Sequence, residues 1–161
     1  MVRVAHPAGL GAFAAQLDVP PATGESLFLP QDLLTLLAAG GADIIQPDIC
    51  VGGRLAQIRR IAAIAEAHFV SVAPHNPMGP LATAVNVHFA ASHHGLKMPE
   101  YKPCEKTWSP VPYLPVDGYL ELRPDRPGRV GEIDEAALKA DDYVHWERAL
   151  PIRPDGSTGY V

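Results

Sequence analysis

Residues 43–53 read Asp43-Ile44-Ile45-Gln46-Pro47-Asp48-Ile49-Cys50-Val51-Gly52-Gly53, and residues 69–77 read Phe69-Val70-Ser71-Val72-Ala73-Pro74-His75-Asn76-Pro77. Two short runs, Asp43–Gln46 and Phe69–Ala73, each stop at a proline. They are largely apolar rather than alternating, as expected of strands buried on both faces. Between them, Arg54–His68 carries Leu55, Ile58, Ile61, Ala62 and Ala65 at helical spacing. Strand, loop, helix and strand with no hairpin signal between them indicate a parallel βα unit.

The same rhythm continues in both directions. Upstream, Ala8–Leu17 reads as a weak helix with Leu10, Phe13, Ala14 and Leu17 on one face. Val19–Thr23 is a short extended run interrupted by Pro20-Pro21, and Gln31–Ala39 is a helix that Gly40-Gly41 ends. Downstream, Leu81–Ser92 is a helix with Leu81, Ala84, Val85, His88 and Phe89 on one side, and Leu96–Glu100 is a fourth strand. Residues 101–161 differ in kind: they hold eight of the 17 prolines and one weak helix, with no flexible linker before them. The expected organisation is an α/β chain. Residues 1–100 form a run of parallel βα units, and residues 101–161 form an irregular packed extension.

Composition narrows the function. With 161 residues, 47% hydrophobic and 19% charged, the chain can build one core. A net charge of −5 supplies no basic stripe, so nucleic acid is not an expected partner. No apolar run approaches the roughly 20 residues of a membrane span, so no membrane is expected either. Met1–His6 lacks the apolar stretch of a secretory signal. The two cysteines, Cys50 and Cys104, are too few for a disulfide scaffold, and a reduced, cytoplasmic setting is expected.

A doubly wound sheet and a (β/α)8 barrel both fit the alternation. The positions of four ionisable residues favour the barrel. Glu25, Asp48, His75 and Glu100 stand at or just beyond the four strand ends, 23, 27 and 25 residues apart. Barrel strands converge at their carboxyl ends on one mouth, where active sites lie. A carboxylate at Glu25 suits a hard cation such as Mg²⁺, or simply interacts with the dipole of the following helix. An Asp and a His at the ends of neighbouring parallel strands can touch. Asp48 would then fix the His75 tautomer and leave the other ring nitrogen to move a proton. Taken singly, Asp48 also reads as an Asx turn and Glu100 as a solvated rim carboxylate.

Other features are weaker. His93-His94 are adjacent and point apart on a helix, so they read as a polar helix end rather than a metal pair. Cys50 has no second histidine to activate it and reads as a small buried apolar residue. Gly52-Gly53 could offer backbone N–H groups to an anion, but glycine pairs commonly mark turns. A metal hydrolase barrel would need more strand-end histidines than His75 alone.

Ala22-Thr23-Gly24-Glu25, Asp43-Ile44-Ile45-Gln46-Pro47-Asp48, Gly52-Gly53 and Ala73-Pro74-His75-Asn76-Pro77-Met78-Gly79-Pro80, in that order, resemble the C-terminal half of the enolase superfamily. The nearest subgroup is the mandelate racemase-like one, and within it the galactonate dehydratase-like acid-sugar dehydratases. Asp117-Gly118-Tyr119-Leu120, Glu132-Ile133-Asp134-Glu135 and Arg153-Pro154-Asp155-Gly156-Ser157 resemble that family's C-terminal extension, which implies that residues 1–100 are a partial enolase-type barrel and that residues 101–161 pack on the barrel or on a capping domain. The resemblance implies that Glu25 is the third of three carboxylate ligands of Mg²⁺. It implies that Asp48 and His75 form the general-base dyad, and that Glu100 binds the enolate or the substrate carboxylate. The implied reaction removes the proton α to the carboxylate of an acid sugar and then eliminates the β-hydroxyl, as a Mg²⁺-dependent hydro-lyase. A racemase or epimerase, or a non-catalytic half-barrel that binds a partner, are the alternatives. Because the resemblance covers only half of such a barrel, the expectation is a truncated chain, inactive alone. Its open strand edges at Val19–Thr23 and Leu96–Glu100 favour a homo-oligomer. Its tail either exposes Tyr113, Tyr119 and Trp146 or folds back over the barrel.

Overall fold

Three parallel strands carry the fold: β1 (Ala22–Thr23), β2 (Ile44–Ile45) and β3 (Ser71–Val72), in the order β1-β2-β3. The computed structural model describes residues 6–103, 106, 108–109, 112–124, 133–141 and 155. Cys104, Trp146 and all of Arg153–Ser157 except Asp155 lie outside the described residues. The helices are α1 (Pro7–Ala14), α2 (Pro30–Ala38), α3 (Leu55–Ala67), α4 (Pro80–Ala91) and α5 (Glu135–Ala140). Successive helices α1 to α4 pack against one another beside the sheet, as repeated βα units require.

The strands are shorter than the sequence runs suggest, because prolines remove donors from the ladder. Main-chain pairing nevertheless continues past them. His75 N–H donates to the Pro47 carbonyl at 3.2 Å, and Glu100 N–H donates to the Pro74 carbonyl at 3.2 Å. The expected fourth strand is reduced to one parallel bridge, Val72 with Leu96, flanked by Val72 N–H to Gly95 O at 2.9 Å and Lys97 N–H to Val72 O at 2.7 Å. Among the described residues β1 pairs only with β2.

The core lies between strands and helices. Leu33 and Leu36 of α2, Ile58, Ile61, Ala62 and Ala65 of α3, Ile45, Val72 and Phe89 are buried together. Each large aliphatic side chain here contributes roughly 1.5–3 kcal/mol of burial. Most of the expected α3 stripe is therefore the buried face, while Leu55 at its first turn is exposed. In α1 the buried residue is Gly11, not Phe13. A side chain at Gly11 would overlap the Ala39 carbonyl oxygen at the end of α2, so the absent Cβ permits the close approach.

α4 departs from its predicted one-sided pattern. Ala82, Thr83, Ala84, Asn86, Val87 and Phe89 are all buried, while Leu81 is exposed. The reason is that the extension covers a second side of the helix: Tyr113, with Leu120, packs on Ala84 and Val87. Tyr113 is thus buried, with the Arg123 guanidinium 4.3 Å from its ring centre, whereas Tyr119 is exposed. Asp117-Gly118 forms a tight turn with positive φ at both residues, and Val116 and Tyr119 pair across it. Among the described residues no helix is long and apolar enough to cross a membrane.

Candidate active site

Asp48 and His75 are partners in the sheet register. Ile44 pairs with Ser71, Ile45 with Val72 and Asp48 with His75, a constant offset of 27 residues. Parallel partners project to the same side, so the register alone brings the two side chains together. His75 Nδ1 lies 2.8 Å from Asp48 Oδ2.

Asp48 is 2% exposed and each of its oxygens is used. Oδ1 accepts the N–H groups of Cys50 at 2.7 Å and Val51 at 3.0 Å, closing the turn after β2. Oδ2 faces the imidazole. The Asx-turn reading and the dyad reading of Asp48 are therefore both satisfied, by different oxygens. Asp48 Oδ2, 2.8 Å from Nδ1 and buried, is a nearer and drier acceptor than the exposed Glu25 Oε2, 3.3 Å from Nε2, so the ring proton of the neutral imidazole is assigned to Nδ1 and Nε2 is the bare nitrogen.

Two further carboxylates surround Nε2. Glu25 Oε2 is 3.3 Å away and Glu100 Oε2 is 3.9 Å away. The four residues singled out by their spacing thus lie at one end of the strand array. Glu25 follows Gly24, whose φ of +122° lets the chain turn back over the strand end. The Glu25 side chain is 59% exposed, so packing does not lock it against Nε2.

Glu100 is held more firmly. Its Oε2 accepts the Asn76 backbone N–H at 2.8 Å, and its backbone carbonyl accepts from Asn76 Nδ2 at 3.1 Å. Asn76 Nδ2 also donates to Thr83 Oγ1 at 2.9 Å, and the Thr83 hydroxyl donates to the Gly79 carbonyl at 3.1 Å. Asn76 and Thr83 were not among the expected site residues. The signal available was a threonine in the first turn of the mostly apolar segment 80–91, and an amide wedged between His75 and Pro77.

One expectation changes. Cys50 is exposed rather than buried. Its thiol is pushed up, first by partial burial of the sulfur and then by the Asp48 carboxylate, so it is a weak nucleophile. The Gly52 N–H donates to the Asp48 carbonyl at 2.7 Å and is committed to the turn rather than to an anion. His93 stacks on Phe89, with ring centres 5.7 Å apart.

The donor set for a cation is thin. Among the described residues no group of three or more His, Cys, Asp or Glu side chains could hold a metal ion. Glu25 offers a hard oxygen, but Mg²⁺ demands near-octahedral oxygen coordination, which one carboxylate does not define. These residues alone do not fit a Mg²⁺ site.

Parallel βα units with an Asp–His pair and two carboxylates gathered at the strand ends form a barrel-type site. The comparisons place it more closely. Residues 2–137 match the family described as Enolase C-terminal domain-like, and the chain belongs to that family. D-galactonate dehydratase of Xanthomonas oryzae is 32% identical over 156 residues, covering 89% of this chain and 41% of the relative. The crystal structure of an enolase from Agrobacterium radiobacter, a candidate galactarate dehydratase bound to Na and L-malate, superposes with a TM-score of 0.90 at 47% identity. That match covers 99% of this chain and 45% of that one. A candidate L-alanine-DL-glutamate epimerase from Burkholderia xenovorans, bound to magnesium and fumarate, gives a TM-score of 0.75 at 30% identity, covering 83% and 34%. The chain spans less than half the length of these relatives, and the resemblance read from its motifs is borne out.

Proposed function

We propose that this chain carries the general-base side of an acid-sugar dehydratase site. The observation that supports it is the 2.8 Å contact between His75 Nδ1 and buried Asp48, which leaves Nε2 facing the mouth. In this reading Nε2 takes the proton α to a substrate carboxylate. The C–H electron pair passes into the carboxylate as an enediolate, and the β-hydroxyl leaves as water once protonated. The resulting enol becomes a 2-keto-3-deoxy acid. Asp48 holds the ring and its tautomer throughout. Glu100 orients the carboxylate end of the substrate, and Glu25 is drawn away from Nε2 as substrate enters. Glu25 is also the residue through which this chain would contribute to a Mg²⁺ site. A cation held in part by Glu25 would supply positive charge beside the substrate's carboxylate end.

Racemisation or epimerisation begins with the same proton abstraction, and the likeness to the Burkholderia structure favours it as the second reading. A chimera tests both. The segment of the Agrobacterium protein that precedes the matched region is joined to this chain and assayed with galactarate and galactonate in D₂O. Keto-acid formation, abolished by His75→Ala, supports dehydration. Deuterium at Cα with inversion and no keto acid supports epimerisation. A folded chimera that does neither refutes the base assignment. The 161-residue chain alone is expected to be inactive, because its described residues offer one carboxylate to a cation. It is also expected to self-associate through the outer edge of β1. Light scattering that reports a monomer at every concentration would overturn the second expectation.

A further inference from the structure

We propose that Asn76, held by Thr83, is a positioning residue that sets the Glu100 carboxylate against the His75 side of the site. The inference rests on Glu100 being the carboxylate that faces substrate, and it concerns how that side chain is fixed. Asn76 makes two different bonds to one residue. Its backbone N–H fixes Glu100 Oε2 at 2.8 Å, and its side-chain Nδ2 fixes the Glu100 carbonyl at 3.1 Å. The same Oε2 is the atom 3.9 Å from His75 Nε2. Main chain and carboxylate of Glu100 are therefore both tied to the residue that follows His75.

The amide orientation is forced. The Glu100 carbonyl is an acceptor only, so the nitrogen of Asn76 must face it. The second hydrogen on Nδ2 goes to Thr83 Oγ1, whose own hydrogen goes to Gly79 O. Thr83 and Gly79 belong to the start of α4, so the clamp refers Glu100 to a rigid element rather than to a loop. Asn76 and Thr83 are both buried. The cost of the arrangement is visible: Asn76 Oδ1 is buried without a hydrogen-bond partner. A buried orphan acceptor is unfavourable for stability. An apolar residue would avoid that penalty but could hold neither the Glu100 carbonyl nor Thr83 Oγ1.

Amide NMR on the ¹⁵N-labelled 161-residue chain tests this without requiring turnover. The Asn76 backbone amide proton is expected downfield, as for an N–H donated to a carboxylate, and to move upfield in Glu100→Gln. Thr83→Val keeps the shape of the side chain and removes the acceptor for Nδ2. It is expected to speed hydrogen exchange at the Asn76 amide by about tenfold, the worth of one hydrogen bond. Thr83→Ser restores the hydroxyl and should restore protection. Asn76→Ala should give the same loss at residue 76, and decides the matter if Thr83→Val does not fold. Unchanged protection in whichever variant folds overturns the clamp, as does an Asn76 amide indifferent to Glu100→Gln. Because the readout is a backbone amide, an intact clamp in a chimera that forms no keto acid would count against the dehydratase reading alone.

Discussion

Asp48→Asn is expected to disable His75 by moving a proton within its ring, with little change in shape. In the native chain Asp48 Oδ1 accepts from the N–H groups of Cys50 and Val51, and Oδ2 faces His75 Nδ1. An asparagine has one oxygen to offer, and two main-chain donors compete for it against one ring nitrogen. Turning the amide the wrong way would set NH₂ against both N–H groups and leave them unpaired, at about 1–3 kcal/mol each. The oxygen therefore stays on the turn and the NH₂ faces Nδ1, which must become the acceptor. The ring proton moves to Nε2, the nitrogen that has to be bare. Taking the preference as about 3 kcal/mol, the base-competent tautomer falls to roughly one part in 10². Multiple-bond ¹⁵N–¹H NMR of the ring, at a pH where the imidazole is neutral, reads the tautomer directly. Native His75 should show a protonated Nδ1 and a bare Nε2, and the variant should show the reverse. A variant that keeps its proton on Nδ1 would refute the orientation argument and with it the positioning role of Asp48.

Three further outcomes are expected. Gly11→Ala drives a methyl into the Ala39 carbonyl and should destabilise by about 1–3 kcal/mol, lowering Tm by calorimetry; an unchanged melt would mean that α1 does not cross α2 so closely. Phe69 is 99% exposed with φ +58° at the turn after α3, so Phe69→Gly should relieve left-handed strain worth about 1 kcal/mol and raise Tm by about 2–4 °C, and a fall in Tm would show that the aromatic ring has a partner. At neutral pH, iodoacetamide should label the raised Cys50 thiol more slowly than a free cysteine; Asp48→Asn removes the carboxylate contribution and should shift the rate midpoint to lower pH, whereas an identical midpoint would remove Asp48 from the account.

The order of elements was readable from periodicity because each apolar segment has one dominant period. Arg54–His68 repeats as a helix and Phe69–Ala73 is too short and too apolar for anything but a buried strand. The Asp48–His75 pair was readable for a related reason: its 27-residue separation equals the register offset between β2 and β3, and parallel partners face the same way. Glu25 and Glu100 are different. β1 and β2 pair at an offset of 22 and Val72 pairs with Leu96 at 24, whereas these carboxylates stand 23 and 25 residues from their neighbours in the site. Glu25 lies one residue short of the register partner of Asp48, and Glu100 one residue beyond that of His75, positions that alternation alone would turn to the opposite face. What turns them inward is the path of the chain after each strand, through Gly24 in one case and the Asn76 clamp in the other. Polar residues inside α4 were likewise invisible to a one-sided helical pattern, because the extension and the strand-end loops bury the helix from two directions. Local periodicity determined the elements and the one pair that register enforces. The inward turn of the two outer carboxylates, and the amide that secures one of them, depended on contacts between segments far apart in the chain, whose bonds leave no periodic trace along it.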